Sequence, residues 1–265
     1  MDVTIPKIYS KFRKAIIFSI FTFRNFISIS SNKRVFILAH MRSGSSLLSH
    51  IISANQDVLS CGESNIRYSL HNYIKRSEFE IRYRAGKHFE HYDIILDQIN
   101  HNDRTPSKSM LDGNNCQLIF LVREPRTTIA SIIGLSKEFY DGSTDEDNAA
   151  DYYINRLAFL TKFATNCIRT KCLFITYENL IEKPQQALSA LSDFLGLEKP
   201  LTEKYRLNPY TGKSGDPSTH IFAGRIKKPQ LTTYKLSEKN MRACSNAYED
   251  FNSMITKIDC LKPKI

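Results

Sequence analysis

Long apolar runs are absent from this sequence. The best one, AIIFSIFTF from Ala15 to Phe23, holds nine residues before Arg24 and Asn25 interrupt it. As a helix it rises only about 14 Å against a hydrocarbon core of about 30 Å, so no spanning anchor is expected. No small-residue cleavage site follows to make it a secretory leader. Cysteine is thin as well. Six thiols, at 61, 116, 167, 172, 244 and 260, lack both the density of a disulfide scaffold and the CxxC spacing of structural zinc. They read as reduced, mostly buried side chains. Internal repeats, low-complexity tracts, RNP sequences and basic-helix arrays are missing too, which argues against nucleic acid as a partner.

What is present fits one large α/β domain. The chain has 265 residues, 42% hydrophobic and 24% charged, with a formal charge of +10. That length can bury a full sheet between helices, and that charge asks for an anionic ligand or surface. The first segment, residues 1–32, stands apart. Lys7, Lys11, Arg13 and Lys14 precede its apolar run, and Ile8, Phe12, Ile16, Ile20, Phe23 and Ile27 recur at helical spacing. It is expected to be a helix that either lies on an anionic leaflet through residues 7–29 or packs on the protein's own core. Residues 33–265 are expected to form a single domain. The predicted location is cytoplasmic, with peripheral membrane contact favoured over Golgi-type anchoring.

From Arg34 the pattern turns regular. RVFILA has strand length, and Leu47, Leu48, Ile51 and Ile52 then recur as the buried face of a helix over 45–54. Asp57–Glu63 predicts a second short strand ending in a polar turn. Residues 65–101 predict helices and loops, with HYDIILDQI as the clearest helical piece. Cys116–Val122 and Cys172–Tyr177 predict buried strands; Pro125, Pro184 and Gly196 mark helix starts and a stop. An acidic loop, DGSTDEDN, precedes a long helix at 149–170, and a final helix spans about 237–257. Strands alternating with helices imply a mainly parallel central sheet flanked by helices on both faces, with ligands beyond the carboxyl ends of the strands.

The turn between the first strand and the first domain helix, His40 to Ser46, is the chemical centre of the sequence. Arg42-Ser43-Gly44-Ser45-Ser46 offers backbone amides, hydroxyls and a guanidinium at a helix N-terminus, where the dipole favours an anion. A nucleotide-hydrolysing P-loop would need GxxxxGK[ST]. That lysine is missing, so the cradle suits a phosphate-like group but not metal-assisted phosphoryl transfer.

Three stretches together resemble the sulfotransferases that use 3′-phosphoadenosine 5′-phosphosulfate (PAPS). HMRSGSSLL is similar to their first, P-loop-like signature in the form of the carbohydrate branch. LIFLVREPRTTIAS carries Arg123 and, eight positions on, Ser131, as in the second. ITYENLIEKPQQALSALSDFLGL is similar to a third, weaker pattern, so the likeness covers about residues 33–230. It implies PAPS as donor, PAP as product and no metal. It also implies donor contacts from Arg42, Ser43, Gly44, Ser45, Ser46 and Leu47 on one anion, and from Arg123 and Ser131 on the other. Tyr177 is expected near the adenine, and Gly224, Arg225 and Lys227 on a closing loop.

The resemblance also implies Glu63 as general base, since carbohydrate sulfotransferases of this kind often place a catalytic carboxylate there, and a Gly-Glu turn at a strand's carboxyl end would face the cleft. Arg42, with Ser45 and Ser46, is expected to stabilise the leaving group. His40, beside the cradle, and His220 are competing bases, since histidine titrates near neutrality. In DRTP, Arg104 stands where the family often has lysine. The resulting reading is transfer of a sulfuryl group to a hydroxyl of a carbohydrate or glycoconjugate, glycolipids included. A silent PAP-binding scaffold and a basic membrane or nucleic-acid module are the alternatives. Residues 64–101 and 137–150 are the expected acceptor contacts.

Overall fold

A computed structural model describes residues 4–27, 32–68, 73–112, 115–139, 144–167, 170–213, 216, 219–228 and 234–257. In chain order the elements are α1 (Thr4–Ile27), β1 (Lys33–Ala39), α2 (Ser45–Ser53), β2 (Val58–Ser60), α3 (Tyr73–Ala85) and β3 (Ile94–Ile99). They continue with α4 (Lys108–Asp112), β4 (Cys116–Val122), α5 (Pro125–Phe139), α6 (Glu146–Asn166), β5 (Lys171–Thr176), α7 (Tyr177–Glu182), α8 (Pro184–Leu195) and α9 (Glu238–Ile255).

The five strands form one parallel sheet in the order β2-β3-β1-β4-β5. Alternation along β1 sorts the core into two layers. Val35, Ile37 and Ala39 face one side and pack with α2 and α8. Phe36 and Leu38 face the other and pack with α5, α6 and α9. Both faces are therefore covered, as the strand–helix alternation requires, and every residue of β4 is buried. All five described cysteines are buried free thiols; Cys260 lies outside the described residues.

One expected element is corrected. HYDIILDQI is not a helix: Ile94–Ile99 is β3, paired with β1 on one side and β2 on the other. Every residue of it is buried, so its polar Asp97 and Gln98 imitate a helix's wet face while lying inside. A central strand covered on both sides has no period of two to reveal it. The acidic loop also gives up residues: Asp145 caps α6 by accepting from the Asn148 N–H at 2.8 Å, and Glu146 opens the helix. Residues 140–143 lie outside the described part.

Helix α1 packs on α3. The Phe18 and Phe21 rings meet Phe79 at centroid distances of 4.9 and 5.6 Å, and Lys14 pairs with Glu80 at 2.7 Å.

Candidate active site

All five strands end towards one place, and the segments leaving their carboxyl ends carry the site. From β1 the chain runs through His40 and Met41 into Arg42, whose φ of 63° is left-handed, and Gly44, whose φ of 88° precedes α2. A Cβ on Gly44 would lie 2.5 Å from the Tyr177 ring. Glycine is thus required twice there, by the backbone and by the aromatic that lies against it. Tyr177 starts α7 directly after β5, and the Arg123 guanidinium lies over its ring, 4.2 Å from the ring centre. Glycine and guanidinium both meet this one ring beside the cradle.

Arg42, Arg123 and Ser131 are brought together, though not as the sequence paired them. Ser131 Oγ accepts from Arg42 Nε at 2.8 Å, while Arg123 donates to the Arg42 carbonyl at 3.2 Å and to Thr127 Oγ1 at 3.0 Å. The second Arg42 contact is an ion pair with Asp216 at 2.6 Å. The Asp216 N–H donates to Ser46 Oγ at 3.0 Å, so an acidic residue lies over the cradle. Ser43 is fully buried and does not line the cavity.

His40 is held away from the cavity. Its ring is completely buried, with Nδ1 2.8 Å from the Met41 carbonyl and Nε2 accepting from the Arg123 N–H at 3.0 Å. Burial pushes its pKa down to about 4. At neutral pH it joins the ends of β1 and β4 as an uncharged brace. His220, by contrast, is exposed and lines the cavity.

Glu63 stands where β2 ends, on the cavity wall. Its Oε2 accepts from Asn100 Nδ2 at 3.1 Å and its Oε1 from Arg104 Nη1 at 3.2 Å. His101 Nε2 is 3.8 Å away. Asn100 in turn accepts from Ser45 Oγ at 3.2 Å, which links the carboxylate to the cradle through one side chain. Below Glu63, Asp97 anchors the same turn by accepting from the Ser64 N–H at 3.0 Å, from the Ser64 hydroxyl, and from Tyr68 OH at 2.6 Å.

The cavity between these walls has a volume of about 300 Å³. Arg42, Arg123, Arg225 and Lys227 line it against the carboxylates Glu63 and Asp216; Leu47 and Tyr177 also contribute. The balance is cationic, as an anionic ligand needs. Gly224 lies behind this wall, its carbonyl accepting from the Tyr205 N–H at 2.9 Å. Among the described residues no three His, Cys, Asp or Glu side chains gather into a metal-binding group.

Helix α6 frames the site with three residues that the sequence did not single out. Arg156, fully buried, donates to the carbonyls of Ala39 and Ile99 at 2.8 and 2.7 Å and to Asn102 at 2.6 Å. Tyr153 donates to the Arg123 carbonyl at 2.8 Å. Tyr152 accepts from the Met41 N–H at 2.8 Å and donates to the Asn100 carbonyl at 2.9 Å. Asn100 and His101 lie within the 64–101 stretch expected to meet the acceptor, but the sequence does not single them out, for a definite reason. Reading 94–99 as a strand would have put the next two residues at its carboxyl end, in the cleft.

A parallel sheet with an oxyanion cradle and a second arginine at adjacent strand ends defines an α/β protein built to hold a multiply charged, nucleotide-like anion. The comparisons narrow this class. Residues 32–211 match the family described as the sulfotransferase domain, well over half of the chain. The protein belongs to that family and is a PAPS-dependent sulfotransferase. Two solved structures share the fold. The sulfotransferase domain of the Synechococcus PCC 7002 olefin synthase is 17% identical, with a TM-score of 0.56 over 84% of this chain and 96% of that one. Mouse sulfotransferase SULT7A1 complexed with PAP is 12% identical, with a TM-score of 0.52 over 83% of this chain and 84% of that one. No curated protein sequence matches the chain.

The cradle fits the donor. PAPS carries two separate anionic groups, and the site offers a left-handed glycine turn at a helix N-terminus, with Arg42 and Arg123 beside it. That Arg42 already grips a carboxylate oxygen demonstrates its reach for an anion in the cavity.

Proposed function

We propose that the protein transfers the sulfuryl group of PAPS to a hydroxyl of a carbohydrate or glycoconjugate, glycolipids included, with Glu63 as general base. The carrying observation is the link from Glu63 through Asn100 to Ser45 of the cradle, which sets a carboxylate across the cavity from the donor's anchoring turn. In this reading the Arg42-Ser43-Gly44-Ser45-Ser46-Leu47 turn holds the 5′-phosphosulfate. Arg123, assisted by Ser131 through Arg42, takes the 3′-phosphate, and Tyr177 flanks the adenine. Arg225 and Lys227 close over the donor, with Gly224 shaping their loop. Residues 33–265 act as one catalytic domain and 1–32 as an appended helix.

The chemistry balances without a further reactant. The acceptor oxygen forms a bond to sulfur as the bond from sulfur to the bridging oxygen breaks. PAP leaves with that electron pair, and the hydroxyl proton passes to Glu63. Alignment and positive charge at the bridging oxygen, from Arg42 with the Ser45 and Ser46 hydroxyls, supply most of the rate. Asn100 and Arg104 orient the Glu63 carboxylate, and His40 supports the cradle from beneath. An uncharged, fully hydrogen-bonded imidazole with no opening to the cavity has no route to an acceptor proton.

Transfer of labelled sulfate from PAPS to a panel of sugars and lipid extracts tests the acceptor class. Glu63→Gln should then lower kcat by at least about 10²-fold, a general base's usual contribution, while PAP affinity holds. Undiminished turnover in that variant, with loss in His220→Ala instead, would move the base to His220. Transfer confined to phenols or steroids would sink the carbohydrate assignment.

A further inference from the structure

Helix α1 uses only one of its faces. Lys14, Phe18 and Phe21 fix it to α3, with Lys14 also over the Tyr83 ring at 5.1 Å and Arg82 over the Phe21 ring at 6.0 Å. On the opposite side Phe12, Ile16, Ile20 and Phe23 are 67%, 58%, 45% and 67% exposed. At about 100° per residue these four fall within one arc of about 80°, and Lys11 and Arg13 flank it on either side. Single exposed apolar residues are ordinary on a protein surface; a continuous stripe of four large ones is not.

The charge pattern selects the occupant. The sequence of α1 contains Lys7, Lys11, Arg13, Lys14 and Arg24 and no acidic residue. A stripe meant for another protein's core gains nothing from so one-sided a helix, whereas an anionic bilayer rewards both the apolar arc and the cations at its edges. Among the described residues no helix is long and apolar enough to cross a membrane. With Phe21 and Lys14 committed to α3, α1 is held lengthwise against the domain with its free face outward. We propose that this face rests on an anionic membrane surface, its apolar side chains entering the headgroup boundary while Lys11 and Arg13 meet lipid phosphates. The inference stands on α1 alone and is independent of which hydroxyl is sulfated.

Co-sedimentation of the full chain with vesicles tests it. The protein should pellet with phosphatidylcholine–phosphatidylserine vesicles, bind phosphatidylcholine alone weakly, and release with rising salt. Ile16→Asp combined with Phe23→Asp should lower the partition coefficient by about tenfold or more, since two large apolar groups leave the interface. Lys11→Glu with Arg13→Glu should lower it severalfold. Thermal stabilisation by PAP, unchanged in both variants, reports an intact domain, so a lost vesicle signal is not misfolding. The proposal is overturned if the wild type ignores the mixed vesicles, or if the Asp double variant binds them as well as the wild type. It is equally overturned if the stripe instead holds a stable dimer that the Asp variant dissociates.

Discussion

Replacing Asp216 with asparagine should make the protein bind PAP more tightly. In the structure its carboxylate sits 2.6 Å from Arg42 Nη1, and its N–H donates to Ser46 Oγ at 3.0 Å. In the donor mode proposed above, it therefore takes the guanidinium assigned to the donor's anionic oxygens. The two side chains keep only 16% and 23% of their exposure, which places the pair near the top of the surface range, about 1 kcal/mol. Freeing Arg42 from it is worth about fivefold in affinity. Removing a negative charge beside a multiply charged ligand adds to this, so the expected gain is about five- to tenfold. Asparagine keeps the backbone contact and nearly the same shape. Calorimetric titration of PAP into the two proteins measures the difference, which should shrink at high salt as screening grows. Equal or weaker binding by Asp216→Asn would refute the competition and make the residue a clasp that helps hold the donor.

Two more expectations concern the frame. Arg156→Met removes a buried cation and leaves the Ala39 and Ile99 carbonyls without that donor, so it should cost about 3–5 kcal/mol, read from urea unfolding. A loss under about 1 kcal/mol would show that water replaces it. Asp97→Asn should change how stability varies with pH. Burial pushes Asp97 up to about 6 despite the Ser64 and Tyr68 donors, against about 3.9 in the unfolded chain. Between those values the folded state holds a proton the unfolded state releases, so this group makes stability fall as pH rises. From about pH 4.5 to about pH 6.5 the variant should therefore gain about 2 kcal/mol on the wild type. A difference constant with pH would refute the shift.

The cradle was readable in the sequence because its requirements are local. A strand, a left-handed glycine and a helix N-terminus follow within a dozen residues, and Gly44 cannot be exchanged without striking Tyr177. Arg123 was readable for the same reason, at the end of an unbroken apolar strand. What escaped is what depends on burial from both sides or on residues far apart in the chain. The β3 strand hid Asp97 and Gln98 inside and so passed for a helix, and with it Asn100 was overlooked. Tyr152, Tyr153 and Arg156 carry no motif, because apart from Asn102 their hydrogen-bond partners are backbone atoms at distant strand ends, and a backbone atom leaves no mark in a sequence. Asp216 was likewise invisible as a partner of Arg42, 174 residues away.

That three-residue grip from α6 has a consequence for how such a protein can change. The ends of β1, β3 and β4 are tied to one helix through main-chain atoms, so the positions of the cradle and of Arg123 do not depend on the side chains of the loops above them. Those loops are free to drift in length and composition, trying one acceptor after another, while the donor-holding apparatus stays in register beneath. The liability is equally concentrated: a single lesion at position 156 releases the ends of β1 and β3 together.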